Sequence, residues 1–289
     1  MAVLLEGAIV PLVIVLALTA STYAQFTSGV NLVEVYATVT DHRGAPVKDL
    51  TAADVRIRED GSPQTISAFS AGEFPLAVAI GLDRSFSMGA GRTSRLDTAK
   101  SAARAFIEAL KPADQVMVIA IGSETTVAAP LSTKHEAALA AIDRLDAWGT
   151  TPLYDAMAGA LDAIQSAKGR RALVVLSDGS DRYSDTSAAV LVDQVRRRDV
   201  LVYPVAIGSQ RPAVFAELAT ASGGRSFFQT DPRELSATLT SIANELRSQY
   251  LLGYTPARPV AAEPTWHSIE VVVNRPDVRV RARDGYYSR

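Results

Sequence analysis

The sequence predicts an α/β protein: a doubly wound, mostly parallel sheet inserted in or flanked by a small antiparallel β-sandwich. Three observations carry this reading. Leu76 to Leu82, Val116 to Ile121, Ala172 to Leu176 and Val200 to Ile207 are short continuous apolar runs, the pattern of parallel strands covered on both faces. Helical apolar stripes separate them, as a doubly wound sheet requires. On either side of residues 73–247 apolar and polar residues instead alternate, the pattern of antiparallel strands with one wet face.

Taken in order, residues 1–24 come first. Ile9 to Ala20 is almost wholly apolar and Thr22-Tyr23-Ala24 offers small residues before Gln25, so this stretch reads as a signal peptide or N-terminal anchor of an exported protein. In residues 29–72, Val33, Val35, Ala37 and Val39 share one strand face, and Glu34, Tyr36, Thr38 and Thr40 share the other, which is expected to be wet. Gly44 marks a turn, Val55-Arg56-Ile57-Arg58 alternates again, and Asp60-Gly61 is a two-residue hairpin signal before a short strand near Ile66.

Within residues 73–247, Leu96, Ala99, Ala103, Phe106, Ile107 and Leu110 fall on one helical stripe, and Leu153, Met157, Ala160, Leu161 and Ile164 on another. Thr133 with Glu136 predicts a capping box, and Asp231-Pro232-Arg233-Glu234 a capped helix start. Residues 248–289 alternate through Ile269, Val271 and Val273, then through Val278, Val280 and Ala282 opposite Arg279, Arg281 and Arg283. The Pro- and Ala-rich stretch 256–264 reads as a loop. Either flank alone has too few strands to bury an apolar face, so 29–72 and 248–289 are expected to pair into one module with the arginines on its wet side.

The chain has 289 residues, 48% hydrophobic and 21% charged, enough for one large domain and a smaller one. Its 29 Lys and Arg against 31 Asp and Glu leave a net charge of -2, which argues against a polyanion partner. With no cysteine, disulfides, thiolate metal sites and Cys nucleophiles are excluded.

In a doubly wound sheet function collects outside the carboxyl ends of the strands. Three polar strings fall there: Asp83-Arg84-Ser85-Phe86-Ser87-Met88, Gly149-Thr150-Thr151-Pro152-Leu153-Tyr154-Asp155, and Leu176-Ser177-Asp178-Gly179. Their carboxylates and hydroxyls are hard oxygen donors, suited to Mg²⁺ or Mn²⁺ and not to zinc. Each string alone has an ordinary explanation in turn or capping chemistry.

Together, and in this order, the strings resemble the metal-ion-dependent adhesion site of von Willebrand factor type A domains, written Asp-x-Ser-x-Ser, then Thr, then Asp, over about Glu73 to Arg247. The resemblance implies a Mg²⁺ (or Mn²⁺/Ca²⁺) site formed by Asp83, Ser85, Ser87, Thr151 and Asp178. Thr150 is the alternative to Thr151, but Thr151 keeps the Thr-x-Leu-x-Asp spacing to Asp155. It also implies a protein partner that presents a Glu or Asp carboxylate to the metal, with Arg84 in the site loop expected to lie solvated. More narrowly, Val39-Thr40-Asp41, Gly44, Asp60-Gly61, Tyr250-Leu-Leu-Gly-Tyr254 and Gly285-Tyr-Tyr287 resemble the VWFA-related acidobacterial family.

Two other readings compete. A Mg²⁺-dependent hydrolase would use Ser85 or Ser87 as nucleophile or the metal to activate water, but His42, His135 and His267 lie in unrelated segments, and neither a Gly-x-Ser-x-Gly elbow nor a Gly-rich phosphate loop occurs. The sequence therefore reads as a non-enzyme. A polyanion surface of Arg56, Arg58, Arg279, Arg281 and Arg283 is the third reading, and arginines that keep a strand face wet explain them better.

Overall fold

The computed structural model describes residues 32–72, 74–90, 94–257 and 263–288. The expected signal peptide or anchor, and part of the loop at 256–264, lie outside the described residues. The chain opens with β1 (Val33–Asp41), β2 (Val55–Glu59), β3 (Ser62–Gln64) and β4 (Ile66–Ala71). The central unit follows as β5 (Leu76–Asp83), α1 (Phe86–Gly89), α2 (Arg95–Glu108), β6 (Gln115–Ile121), β7 (Thr126–Ser132), α3 (His135–Asp143) and α4 (Leu153–Ile164). It continues through β8 (Arg170–Ser177), α5 (Ala188–Arg197), β9 (Leu201–Ile207), α6 (Ala213–Ser222), β10 (Phe227–Gln229) and α7 (Leu235–Arg247). The chain then returns to strands, β11 (Tyr250–Tyr254), β12 (Trp266–Val273), β13 (Val278–Arg281) and β14 (Gly285–Tyr287).

The four apolar runs form the heart of a six-stranded sheet ordered β10-β9-β8-β5-β6-β7, parallel except for β7. All eight residues of β5 are buried, as a strand covered on both faces must be. Its alternate residues split between two cores: Leu76, Val78, Ile80 and Leu82 meet α2, α3 and α7, while Ala77 and Ala79 meet α4, α5 and α6. The sequence reading missed β7 and β10. The first carries Pro130 and neither alternates nor forms an apolar run, and the second is three residues long.

The flanks interleave. One antiparallel sheet runs β13-β1-β11-β4 and a second runs β14-β12-β2-β3, so each contains strands from both sides of the central unit. Their facing side chains, Val35, Val39, Ile57, Leu252 and Ile269 among them, make a third core. Asp60 and Gly61, with φ of 47° and 79°, form the left-handed turn between β2 and β3. Tyr250, Tyr254 and Tyr286 of the two C-terminal strings are polar fasteners inside this sandwich. Tyr250 Oη donates to Val47 O and accepts from Leu50 N, while Tyr254 Oη and Tyr286 Oη both donate to the buried Glu59 carboxylate, at 2.8 and 3.0 Å.

Several local expectations need correcting. Tyr36 and Thr38 are buried, because the second face of β1 is covered by the central unit: Tyr36 joins the core beneath α7, with the Arg170 guanidinium 4.9 Å from its ring. Arg281 and Arg283 do not face water either. Arg281 pairs with Glu245 of α7 at 2.6 Å and donates to Gly224 O, and Arg283 donates to Glu34 O and lies 3.5 Å from Asp199. Arg56, Arg58 and Arg279 are exposed. The Thr133–Glu136 capping box does not form, since β7 runs on to Ser132 and α3 starts only at His135 without a side-chain cap. Asp231 does cap its turn, its carboxylate accepting from Arg233 N and its carbonyl from Glu234 N.

Candidate metal centre

Because β5 pairs with β6 on one side and β8 on the other, strand order reverses there, and the crevice beyond the carboxyl ends of β5 and β8 is the switch point of the sheet. Asp83 ends β5 and Ser177 ends β8. Asp83 is fully buried and its carboxylate collects donors from three segments: Ser177 Oγ at 2.6 Å, Ser85 N at 2.9 Å and Thr151 Oγ1 at 3.4 Å. Ser85 Oγ lies 3.1 Å from Ser87 Oγ. Burial pushes the Asp83 carboxyl above its ordinary range, opposed by the hydrogen bonds from Ser177 and Ser85 and reinforced by the negative charge of Asp178.

Thr150 and Thr151 separate clearly. Thr151 is buried against Asp83, whereas Thr150 is exposed and turns to Ser123, its N donating to Ser123 Oγ at 2.9 Å. Gly149, at φ 86°, makes this possible: a Cβ there would lie 2.4 Å from Ser123 Oγ. Asp178 accepts from Ser180 N through Oδ1, and its Oδ2 lies 3.9 Å from Arg95 Nη1. Asp155 stands apart from the oxygen cluster, where its carboxylate accepts from Asp185 N and Thr186 N and holds the loop after β8.

Three backbone bonds lock the loops together, Phe86 N to Gly149 O at 3.0 Å, Trp148 N to Arg84 O at 2.6 Å, and Arg182 N to Thr151 O at 2.7 Å. Arg84 is not simply solvated. Its guanidinium stacks 5.6 Å from the Trp148 ring and donates to Asp146 O at 3.1 Å.

The donor set fits a hard divalent cation. It is all oxygen, its carboxylates are two, and the buried Asp83 carboxylate is bonded by hydroxyls and a backbone amide, with no Lys, Arg or His within hydrogen-bond distance among the described residues. Sequence reasoning quoted Ser177 within its string but gave it no role. A second cluster also escaped it: Glu59, Asp60 and His267 bring ligand-type atoms within 4.8 Å of one another. Those groups are engaged in the sandwich, Glu59 by Tyr254 and Tyr286, and Asp60 by His267 Nδ1, Ser268 N and Ser268 Oγ.

Residues 78–180 match the family model described as von Willebrand factor type A domain. No curated protein matches the chain. Solved structures show the fold. A von Willebrand factor type A protein from Catenulispora acidiphila, 15% identical, covers 90% of this chain and 75% of its own, with a TM-score of 0.53. Proximal thread matrix protein 1 from the mussel byssus, 14% identical, covers 65% of this chain and 51% of its own, with a TM-score of 0.53. An aerotolerance-related membrane protein from Bacteroides fragilis, 20% identical, covers 59% of this chain and 98% of its own, with a TM-score of 0.50.

Proposed function

Since the central unit of this chain is a von Willebrand factor type A domain, we propose that it is a metal-dependent protein-binding module whose Mg²⁺-type site takes an acidic residue of a partner protein. Such domains are generally interaction modules, often metal-dependent. The observation that carries the reading is the buried Asp83 carboxylate, ringed by Ser85, Thr151 and Ser177 hydroxyls at the switch point of the sheet. Asp83, Ser85, Ser87, Thr151 and Asp178 are the residues that would hold the ion, which when bound supplies electrophilic character toward a partner carboxylate. Ser177 keeps Asp83 oriented, and the amides of Ser85 and Ser180 aim the two carboxylates. Mn²⁺ and Ca²⁺ are the alternative ions.

Residues 29–72 and 248–289 serve as one β-sandwich that carries the domain at 73–247, an organisation supported by the interleaved strand pairing. The protein is exported, periplasmic or extracellular, through its first 24 residues; among the described residues no helix is long and apolar enough to cross a membrane. Binding is favoured over hydrolysis by the placement of the histidines. His135 binds Asp114 O, His267 binds Asp60, and His42 ends beside Arg43, so none reaches Ser85 or Ser87.

Thermal melting with and without Mg²⁺ tests the reading. The melting temperature should rise with the ion in the wild type. Asp83→Asn and Asp178→Asn should lose that rise. A response that survives both substitutions places the ion elsewhere, with Glu59, Asp60 and His267 next to be examined.

A further inference from the structure

Among the described residues, the aromatic side chains that are exposed are Phe86, Trp148 and Tyr183, at 64, 51 and 80%. All three stand on the loops of the candidate metal centre. Phe86 lies between Ser85 and Ser87, Trp148 precedes Thr151 by three residues, and Tyr183 follows Asp178 by five. The backbone bonds joining residues 86 to 149, 148 to 84 and 182 to 151 tie the three loops to one another, and Ser85 and Thr151 of those loops bond Asp83.

These rings are presented, not left loose. Trp148 rests on the Arg84 guanidinium. The loop bearing Tyr183 is pinned to the start of α4, with Tyr154 N donating to Asp181 and Ser184, and Asp155 accepting from Asp185 N and Thr186 N. Tyr183 itself sits at φ 69°, a left-handed backbone that a bulky residue rarely adopts, and this holds its ring 80% in solvent. Apolar groups fixed in water at such cost mark a binding surface.

The charges around the rings decide what binds. The Arg84 guanidinium stacks on Trp148, Arg95 donates to Ser87 O and lies 3.9 Å from Asp178, and the exposed Arg182 precedes Tyr183 in the chain. Aromatic anchors interleaved with arginine around a central charged contact are the composition of protein interface hot spots. Resting on the metal-dependent reading above, we propose that Phe86, Trp148 and Tyr183 form an apolar collar that takes a protein segment whose acidic residue is flanked by apolar side chains. The ion supplies attraction to the carboxylate, and the collar supplies selectivity for its neighbours.

Three immobilised peptides test this on the full chain in Mg²⁺: one with Leu-Glu-Leu at its centre, one with Ser-Glu-Ser, and one with Leu-Gln-Leu. The first should bind about tenfold or more tighter than either other, and EDTA should release it. Trp148→Ser and Tyr183→Ser should each erase the preference for leucine flanks while keeping the Mg²⁺-dependent rise in melting temperature. Equal binding of the two glutamate peptides, a leucine preference that survives both substitutions, or no binding of the leucine-flanked peptide overturns the collar. Equal, EDTA-resistant binding of the Leu-Glu-Leu and Leu-Gln-Leu peptides instead removes the carboxylate-on-metal reading and leaves an apolar surface. Phosphatidylcholine vesicles are the remaining arm. Sedimentation with them, abolished by Trp148→Ser in the absence of any peptide preference, would assign the collar to a membrane and overturn the proposal.

Discussion

Ser177 Oγ donates to Asp83 Oδ2 at 2.6 Å, joining the ends of the two strands that flank the switch point, and both residues are completely buried. The same hydroxyl accepts from Gly179 N at 3.0 Å. Ser177→Ala therefore removes a donor from a buried carboxylate and an acceptor from a half-buried turn. The expected cost in the metal-free protein is about 1–3 kcal/mol, read by denaturant melting. The Mg²⁺-dependent rise in melting temperature should also shrink, because Asp83 loses the contact that fixes its orientation. An unchanged Mg²⁺ response would show that Ser177 supports the strand end alone.

Gly149 lets the chain pass from Trp148 to Thr151 with its backbone against Ser123. At φ 86°, with Ser123 Oγ 2.4 Å from where a Cβ would stand, Gly149→Ala meets both backbone strain and a clash. A loss of about 1–3 kcal/mol is expected, together with weaker metal affinity as Thr151 is displaced from Asp83. Pairing the substitution with Ser123→Gly removes the side-chain clash but leaves Ser123 N 3.0 Å from the new Cβ, keeps the backbone strain and loses the hydroxyl that accepts from Thr150 N, so recovery should be partial. Complete recovery would mean that the left-handed backbone is not costly here.

The candidate site is more legible in the sequence than its surroundings, for a physical reason. Asp83, Ser85, Ser87 and Asp178 sit in short local strings at the ends of β5 and β8, which the apolar runs before them already mark, and Thr151 sits in a string that opens α4. Alternation likewise identified the faces of β1 and β13. It could not say what covers the second face, so Tyr36, Thr38, Arg281 and Arg283 were expected in water but lie against the central unit. The collar was illegible because nothing in a sequence distinguishes Phe86 at 64% exposure from Phe106 at zero until the loops are placed.

Arg281 shows what the contact between sandwich and central unit costs to break. It meets Glu245 at 2.6 Å, and Glu245 is buried and also accepts from Tyr203 Oη at 2.9 Å. Arg281→Met leaves that carboxylate buried without its cation, with an expected loss of about 2–3 kcal/mol, since the arginine is itself partly wet. Arg281→Met combined with Glu245→Gln should recover part of it. Arg279→Met, on the same face of the strand but exposed, should change stability by less than about 0.5 kcal/mol. Equal effects of the two arginine substitutions would refute the difference in their surroundings.

Tyr36 makes the same contact sensitive to alkali. Burial is the main cause that raises its phenol from 10.0 to about 12, with Glu34 and Asp199 adding to it and the nearby Arg170 and Arg171 opposing. The folded-state value lies above the unfolded one, so the stability that Tyr36 contributes is full below pH 10 and is lost as pH rises through 10 toward 12. Tyr203, Tyr254 and Tyr286 are shifted in the same direction by burial, and the chain should therefore lose stability steeply in that window. Tyr36→Phe keeps a ring near the Arg170 guanidinium, 4.9 Å away in the wild type, but removes the titrating group. Near pH 9 the variant and wild type should differ little, and above pH 10 the variant should gain relative stability by about 1–2 kcal/mol after allowance for partial solvent screening. Urea melts across this range would read the difference. A gap between the two proteins that stays constant from pH 9 to 12 would mean that Tyr36 ionises as easily in the fold as in the unfolded chain.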